Sequence, residues 1–512
     1  MSDERNNNNR RSSKNPDLAR KRNTAKMRGR RRKKKRKIAM LRRVGIIALV
    51  IIAIVLGVFG TQAIIKYSKA KKLENQAKQE QLLKEEQQKA TTQKETMVLV
   101  EQLVASYDYD GAIQLLNDKM DIDVTNEFPQ MISEYETIKS NLVEADIEKI
   151  PHIFFNTLIA DQEITWNLAG TEEYKVGDYN QGMTTIEEFK KIIQQMYDNG
   201  YVLVRMKDMI EEIVDEEGNT SFAKGKIMLP EGKKPFVMSQ DDVSYRLDMQ
   251  GDGFATKLVL DADGRLANEY QNADGTTLIG SYDLVPVLND FLDEHPDFSY
   301  KGAKAVLAFT GYNGILGYRT DPELAKTEAE GNPYAAKYGV FNVEEEIANV
   351  KPIVEALRKE GWEFASNSYG KISYGEDFEK MKADADKWQE RVASIIGPTK
   401  ILLYPLGKDI GGWQPYSSDN EKYEYLKGQG FKFYCNVDSN PYWVQITSEN
   451  VRQGRMNLDG YRMYQDLHNG ADKLTQLFDV QSVFDETRPN AGLNGRPDGE
   501  PEQESTESND AE

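Results

Sequence analysis

The sequence predicts an α/β protein: a barrel of parallel strands carried behind one transmembrane helix and a helical stalk. Three observations predict it. From Val44 to Ile65 the chain runs 22 residues without a charge, long enough at ~1.5 Å per residue to cross a hydrocarbon core of roughly 30 Å. After Pro151, seven short apolar runs alternate with amphipathic helical stretches, the pattern of strand–helix–strand units, and seven such units favour a closed barrel over an open sheet. The net charge of −17 conceals two opposed parts: residues 1–43 hold 19 Lys and Arg against 3 Asp and Glu, and the remainder holds 47 against 80. A split of that size places the two parts in different environments.

Composition narrows the chemistry. At 512 residues the chain holds several segments. A single cysteine, Cys435, excludes an intramolecular disulfide framework and a cysteine-based zinc cluster. Only three histidines occur, His152, His295 and His468, no two of them close in sequence. A histidine-rich metal site is therefore hard to build.

Taken in order, residues 1–43 form a basic arm whose run from Arg28 to Lys37 would, alone, fit nucleic acid or a localisation signal. Beside the apolar segment 44–65 it reads instead as a positive-inside anchor, with the N-terminus in the cytoplasm and everything after Lys66 outside. The expected partners are then a membrane and not nucleic acid. Residues 66–149 read as a helical stalk and hairpin. The first part is rich in Lys, Glu and Gln, with a heptad signal too weak for a coiled coil to be claimed. The second breaks at Tyr107–Gly111, and a lone helical pair of this kind must pack its apolar face on a neighbour.

Residues 150–488 supply the barrel. Its strands are read at Ile153–Phe155, Tyr201–Val204, Phe236–Met238, Ala305–Phe309, Trp362–Ala365, Ile401–Tyr404 and Phe431–Tyr434. Between them, Thr184 and Thr185 with Glu187 and Glu188 form a helix-capping signal. Lys257–Asp283, with two Asp/Asn–Gly turns, reads as a surface hairpin or small meander. Residues 489–512, acidic and nearly free of apolar side chains, are expected to be a disordered tail.

In a barrel of parallel strands, functional groups come from the C-terminal strand ends. The third strand ends in Ser239-Gln240-Asp241-Asp242. An isolated Asp-Asp pair is more often an acidic turn, but here both carboxylates can face a cleft. The other ends carry Thr310–Asn313, Ser366–Lys371, Tyr404–Asp409 and Asn436–Ser439, with Tyr442 and Trp443 soon after. Carboxylates, amides and aromatic rings suit the hydroxyls and faces of sugars. His152 sits at the start of the first strand, away from these ends. His295 and His468 read as surface residues, and Cys435 as core.

These strand ends resemble the polysaccharide deacetylase family (carbohydrate esterase family four), in its membrane-anchored Gram-positive form, over about Pro151 to Arg488. The resemblance implies a distorted (β/α) barrel of seven to eight strands. It implies Asp241 as general base and Asp242 as ligand of a zinc-like divalent metal. Tyr404 and Pro405 echo the family's third motif, Asp438 and Trp443 loosely its fourth, and with Tyr369 they would line a substrate groove. The second motif, His-Ser/Thr-x-x-His, falls on Asn367-Ser368-Tyr369-Gly370-Lys371, so both metal-binding histidines are replaced, and Leu403 stands where an arginine is common. Amide oxygen binds such ions weakly and an ammonium not at all. No cofactor is expected unless the degenerate site still binds a metal, and Lys371 would set a fixed charge beside Asp242. Three readings follow: a cell-surface deacetylase removing N- or O-acetyl groups from wall or surface polysaccharide, a non-catalytic glycan binder, and an envelope scaffold.

Overall fold

The structure, a computed structural model, describes residues 16–218, 220–438, 440 and 442–493. The first fifteen residues of the basic arm, and residues 494–512 of the expected tail, lie outside this range. The chain divides between Thr92 and Gln93 into two units.

In the first unit, helix α1 begins at Pro16 and reaches Ala105 in the second. Within it lies the one stretch among the described residues that is long and apolar enough to cross a membrane. Its side chains from Val44 to Ile65 are exposed all round, the distribution of a helix whose whole surface suits an apolar surrounding.

In the second unit, the end of α1 packs with α2 (Tyr109–Asp118) and α3 (Phe128–Ser140) around Val100, Ala112, Leu116 and Phe128. This hairpin falls in the same compact unit as the barrel, which runs from Gln93 onward. Tyr107 and Tyr109 join Val202, Val237 and Val306 in one buried cluster at the N-terminal ends of the strands. The Tyr107 hydroxyl donates to the carbonyl of Asp297 at 2.9 Å. The hairpin's apolar face thus closes the barrel mouth opposite the functional end.

The barrel strands are β1 (His152–Phe155), β2 (Tyr201–Leu203), β3 (Lys234–Gln240), β4 (Val306–Phe309), β5 (Glu363–Ser366), β6 (Ile401–Leu403), β7 (Phe433–Val437) and β8 (Val451–Asn457). Seven of them close in the order β4-β5-β6-β7-β8-β1-β3 and back to β4, all parallel. β2 lies outside that ring. It pairs with the first residues of β3, Lys234–Phe236, while β4 pairs with the last, Ser239 and Gln240. The barrel therefore has an extra strand at its base and seven at its C-terminal end. That is the distortion implied by the resemblance.

All seven strands read from the sequence are present, and one strand of the closed ring, β8, carries no strand signal in the sequence. Strand β8 closes the ring, yet its sequence Val451-Arg452-Gln453-Gly454-Arg455-Met456-Asn457 has the apolar content of a loop. Alternation explains it. Val451 joins the inner apolar cluster, Met456 joins the outer cluster beneath the helices, and the intervening polar side chains are buried against specific partners. Elsewhere the inner layer is filled by Ala308, Ala365, Leu403 and Cys435. Burial pushes the Cys435 thiol up to about 12, so it remains a protonated core side chain.

The insertion is a three-stranded antiparallel meander, Ala255–Leu260, Leu266–Gln271 and Thr277–Gly280. The start of the expected tail is ordered: Asn180 Nδ2 donates to the carbonyls of Pro489 (2.5 Å) and Ala491 (2.8 Å), and Leu493 is buried.

Candidate functional site

Strand β3 ends in Gln240, and the chain turns sharply through Asp242, whose φ of 55° lies in the left-handed region that aspartate tolerates better than most residues. It is not alone. Of the eleven described non-glycine residues with positive φ, seven lie after β3, β4, β5 and β6: Asp242, Tyr245, Asn313, Leu316, Ser368, Lys371 and Leu406. Strained backbone persists only where surrounding contacts over-determine it, and it gathers where side chains must be aimed.

Asp242 is 7% exposed and accepts four hydrogen bonds. Ser244 Oγ and Thr310 Oγ1 donate to Oδ1, both at 2.8 Å, and the Tyr312 hydroxyl (2.7 Å) and Lys371 Nζ (3.2 Å) donate to Oδ2. Burial by itself would raise the carboxyl pKa. Lys371, Arg246 and the hydroxyls of Tyr312 and Thr310 outweigh it and hold the group at about 2. Burial and the Asp242 charge push the Tyr312 phenol well above its usual range, so it stays a donor. Lys371 is presented by a loop that Asp384 ties down, accepting from the amides of Tyr369 (2.7 Å) and Gly370 (2.8 Å).

Every side chain around Asp242 thus donates. A divalent ion needs the reverse, several acceptor atoms converging on one point. Of the two positions where the resemblance expects histidines, Lys371 supplies an ammonium. The other, Asn367, is fully buried, with Nδ2 donating to the Leu403 carbonyl at 3.0 Å, and its Oδ1 lacks a hydrogen-bond partner.

Asp241 is held differently. Arg455, with no exposed side-chain surface, donates through Nη1 to Oδ1 at 2.6 Å and through Nη2 to Oδ2 at 3.0 Å, a bidentate pair. The guanidinium also lies 4.3 Å over the Phe154 ring. Sequence reasoning missed Arg455 because it missed β8. The available signal was the pair Arg452 and Arg455 in a stretch free of proline, too polar to read as a strand.

A buried chain of hydrogen bonds backs this pair and fixes its own direction. Gln453 Nε2 donates to the Ile150 carbonyl (2.9 Å), leaving Oε1 to accept from His152 Nδ1 (3.2 Å). His152 Nε2 then accepts from Ser239 Oγ (2.9 Å), and Ser239 Oγ accepts from Arg455 Nη1 (3.3 Å). His152, set aside in the sequence because it begins its strand, is joined to Asp241 through three hydrogen bonds, by way of Ser239 and Arg455. Burial, then the Arg455 charge, holds its pKa well below 6.5. The folded protein thus keeps the imidazole neutral while the unfolded chain would take a proton as pH falls through 6.5. Stability should fall below that pH by up to ~1.4 kcal/mol per pH unit from this residue. Denaturant midpoints at pH 7 and 5.5 should show a shallower decline in His152→Gln than in the unaltered chain; equal declines would rule the group out.

The remaining expected groove residues are spread more widely. Tyr369 is buried, its ring against Gly311, where a Cβ would lie 2.2 Å from it, and its hydroxyl donates to Asp321 at 2.7 Å. Tyr404 has no exposed surface and its hydroxyl meets that of Tyr416 at 3.0 Å; Pro405 is buried beside it. Asp438 and Trp443 lie over Gly454, on the face of β8 opposite Arg455, where a Cβ would come 2.8 Å and 3.5 Å from their Cβ atoms. Trp443 there packs on Arg452, 4.9 Å from ring to guanidinium. Among the described site residues, the contact the structure makes across the chain is Lys371 with Asp242, while Asp241 is held by Arg455.

No protein-family model and no curated protein matches the chain. Among solved structures it is similar to the Streptococcus pyogenes deacetylase PplD, solved with acetate, at 11% identity over 65% of this chain and 98% of that one, with a TM-score of 0.29. It is also similar to the BpsB deacetylase domain of Bordetella bronchiseptica, at 11% identity over 61% and 97%, with a TM-score of 0.29.

Proposed function

We propose that this chain is a membrane-anchored polysaccharide deacetylase-like protein that binds cell-wall or surface glycan at the C-terminal end of its barrel without a metal. In this reading the hydrolysis of N- or O-acetyl groups implied by the resemblance has been weakened or lost. The observation that carries it is the Lys371–Asp242 contact of 3.2 Å. Metal-assisted deacetylation needs an ion to lower the pKa of a water from ~15.7 to about 7 and to polarise the carbonyl. Here the carboxylate that would hold the ion is saturated by four donors, one of them a cation. Asp241, the residue the resemblance offers as base, has both oxygens engaged by Arg455.

The same contacts support binding. The Lys371 ammonium, held on Asp242 and 29% exposed, can also donate to a sugar hydroxyl, and the turns around it hold it in place. The apolar stretch 44–65 of α1 supplies the membrane anchor, and the basic arm a cytoplasmic N-terminus. The test uses the full-length chain in detergent with acetylated wall glycan. Retention on the glycan should be unaffected by a chelator, no acetate should be released, and Asn367→His/Lys371→His should be the variant in which release appears. Acetate release by the unaltered chain, or about one tightly held zinc, cobalt or manganese per chain, would overturn the metal-free reading. Absence of retention on any wall or surface glycan would leave the scaffold reading.

A further inference from the structure

A second feature lies on the segment that leaves β6. Trp413 is 75% exposed, the most exposed large apolar side chain described in the barrel unit. Such a ring on a mobile loop would mean little. This loop is held at each residue around it. Arg452, 1% exposed, donates through Nη2 to the Gly412 carbonyl (2.7 Å) and through Nη1 to the Gln414 carbonyl (2.6 Å). Gln445 Nε2 donates to the carbonyl of Trp413 itself at 3.3 Å. Asp409 completes the staple, accepting from Arg452 Nη2 (2.9 Å), the Gly411 amide (2.9 Å) and the Tyr416 hydroxyl (2.5 Å). The guanidinium is in turn held between Tyr416, at 4.0 Å, and Trp443, at 4.9 Å.

A buried arginine therefore fixes a loop whose one large side chain points to solvent. An exposed indole loses the ~25 cal/mol per Å² that burial would bring, so the arrangement stabilises presentation of the ring rather than its packing. Its surroundings narrow the occupant. Gly412 precedes it with nothing within 4 Å of where a Cβ would sit, leaving that side open. Gln414, Pro415, Ser417, Ser418 and Asp419 follow, all exposed and all but Pro415 polar. A protein hot spot is an anchor set among apolar neighbours; one open ring among amides and hydroxyls fits a sugar, whose polarised C–H face meets the negative face of the indole while its hydroxyls meet the polar groups.

We propose that Trp413 is a sugar-stacking platform on the loop that leaves β6, a glycan contact additional to the Asp242–Lys371 pair and suited to polymeric rather than short ligands. This rests on the glycan reading above. The test measures binding of the full-length chain in detergent to wall glycan fragments of increasing length. Trp413→Ala should weaken binding of long fragments roughly five- to tenfold, with an unchanged thermal midpoint, while Trp413→Phe keeps most of the affinity. Unaltered affinity in Trp413→Ala, where the parent chain binds glycan, overturns the platform alone. No glycan binding by the parent overturns both readings. A change of oligomeric state in Trp413→Ala would assign the ring to contact between copies and overturn the platform as well.

Discussion

Arg455→Met should destabilise the barrel by about 3–5 kcal/mol, the range for removing one partner of a buried ion pair. The arginine has no exposed side-chain surface and its partner Asp241 is 10% exposed, so water cannot replace the lost donors. The loss spreads further, because Ser239 Oγ would lose a donor and the hydrogen-bond chain to His152 its end. The expected result is a lower denaturant midpoint with little change in slope, and Asp241→Asn in the same background should recover part of the loss, since the neutral amide leaves no unpaired charge. A midpoint within about 1 kcal/mol of the parent chain would show that the pair does not hold the strand ends together.

Lys371→Met should change the acid response. With Lys371 present, the Asp242 carboxyl sits at about 2 in the folded chain against an ordinary 3.8. A depressed carboxylate stabilises the fold above the unfolded value and loses that contribution as pH falls through the folded one. Here the window runs from about pH 4 down to about 2, and the contribution is about 2 kcal/mol. Burial works in the opposite direction, and Lys371 is the first of the groups that overcome it. Without the ammonium, burial gains weight, the carboxyl rises, and acid unfolding should begin at a higher pH than in the parent chain. Far-ultraviolet circular dichroism between pH 2 and 7 reads this directly; coincident acid transitions would show that Arg246 and the three hydroxyls suffice without Lys371.

What was legible follows from which signals survive in one dimension. The acidic pair after Met238 and the ammonium at Lys371 are both visible in the sequence, and the structure places them 3.2 Å apart. The seven apolar strands were legible because their inner and outer faces both meet hydrocarbon. Strand β8 was not, because its side chains meet Asp241, Asp409, His152 and the aromatic rings of Phe154, Tyr416 and Trp443. A buried polar strand is indistinguishable from a loop until its partners are known. Tyr369 and Tyr404, read from the sequence at strand ends, are buried, because their exposure is set by what packs over them, which a linear pattern does not carry.

By itself, then, the sequence determined the barrel class, the apolar span and the position of two carboxylates, because hydrophobic period, uninterrupted length and strand-end placement are local properties. The tertiary structure decided what those carboxylates face. Arg455 reaches Asp241 across 214 residues and Lys371 reaches Asp242 across 129. Such pairings arise only when ring closure brings distant strands together, since charge carries no periodicity that a linear pattern could reveal.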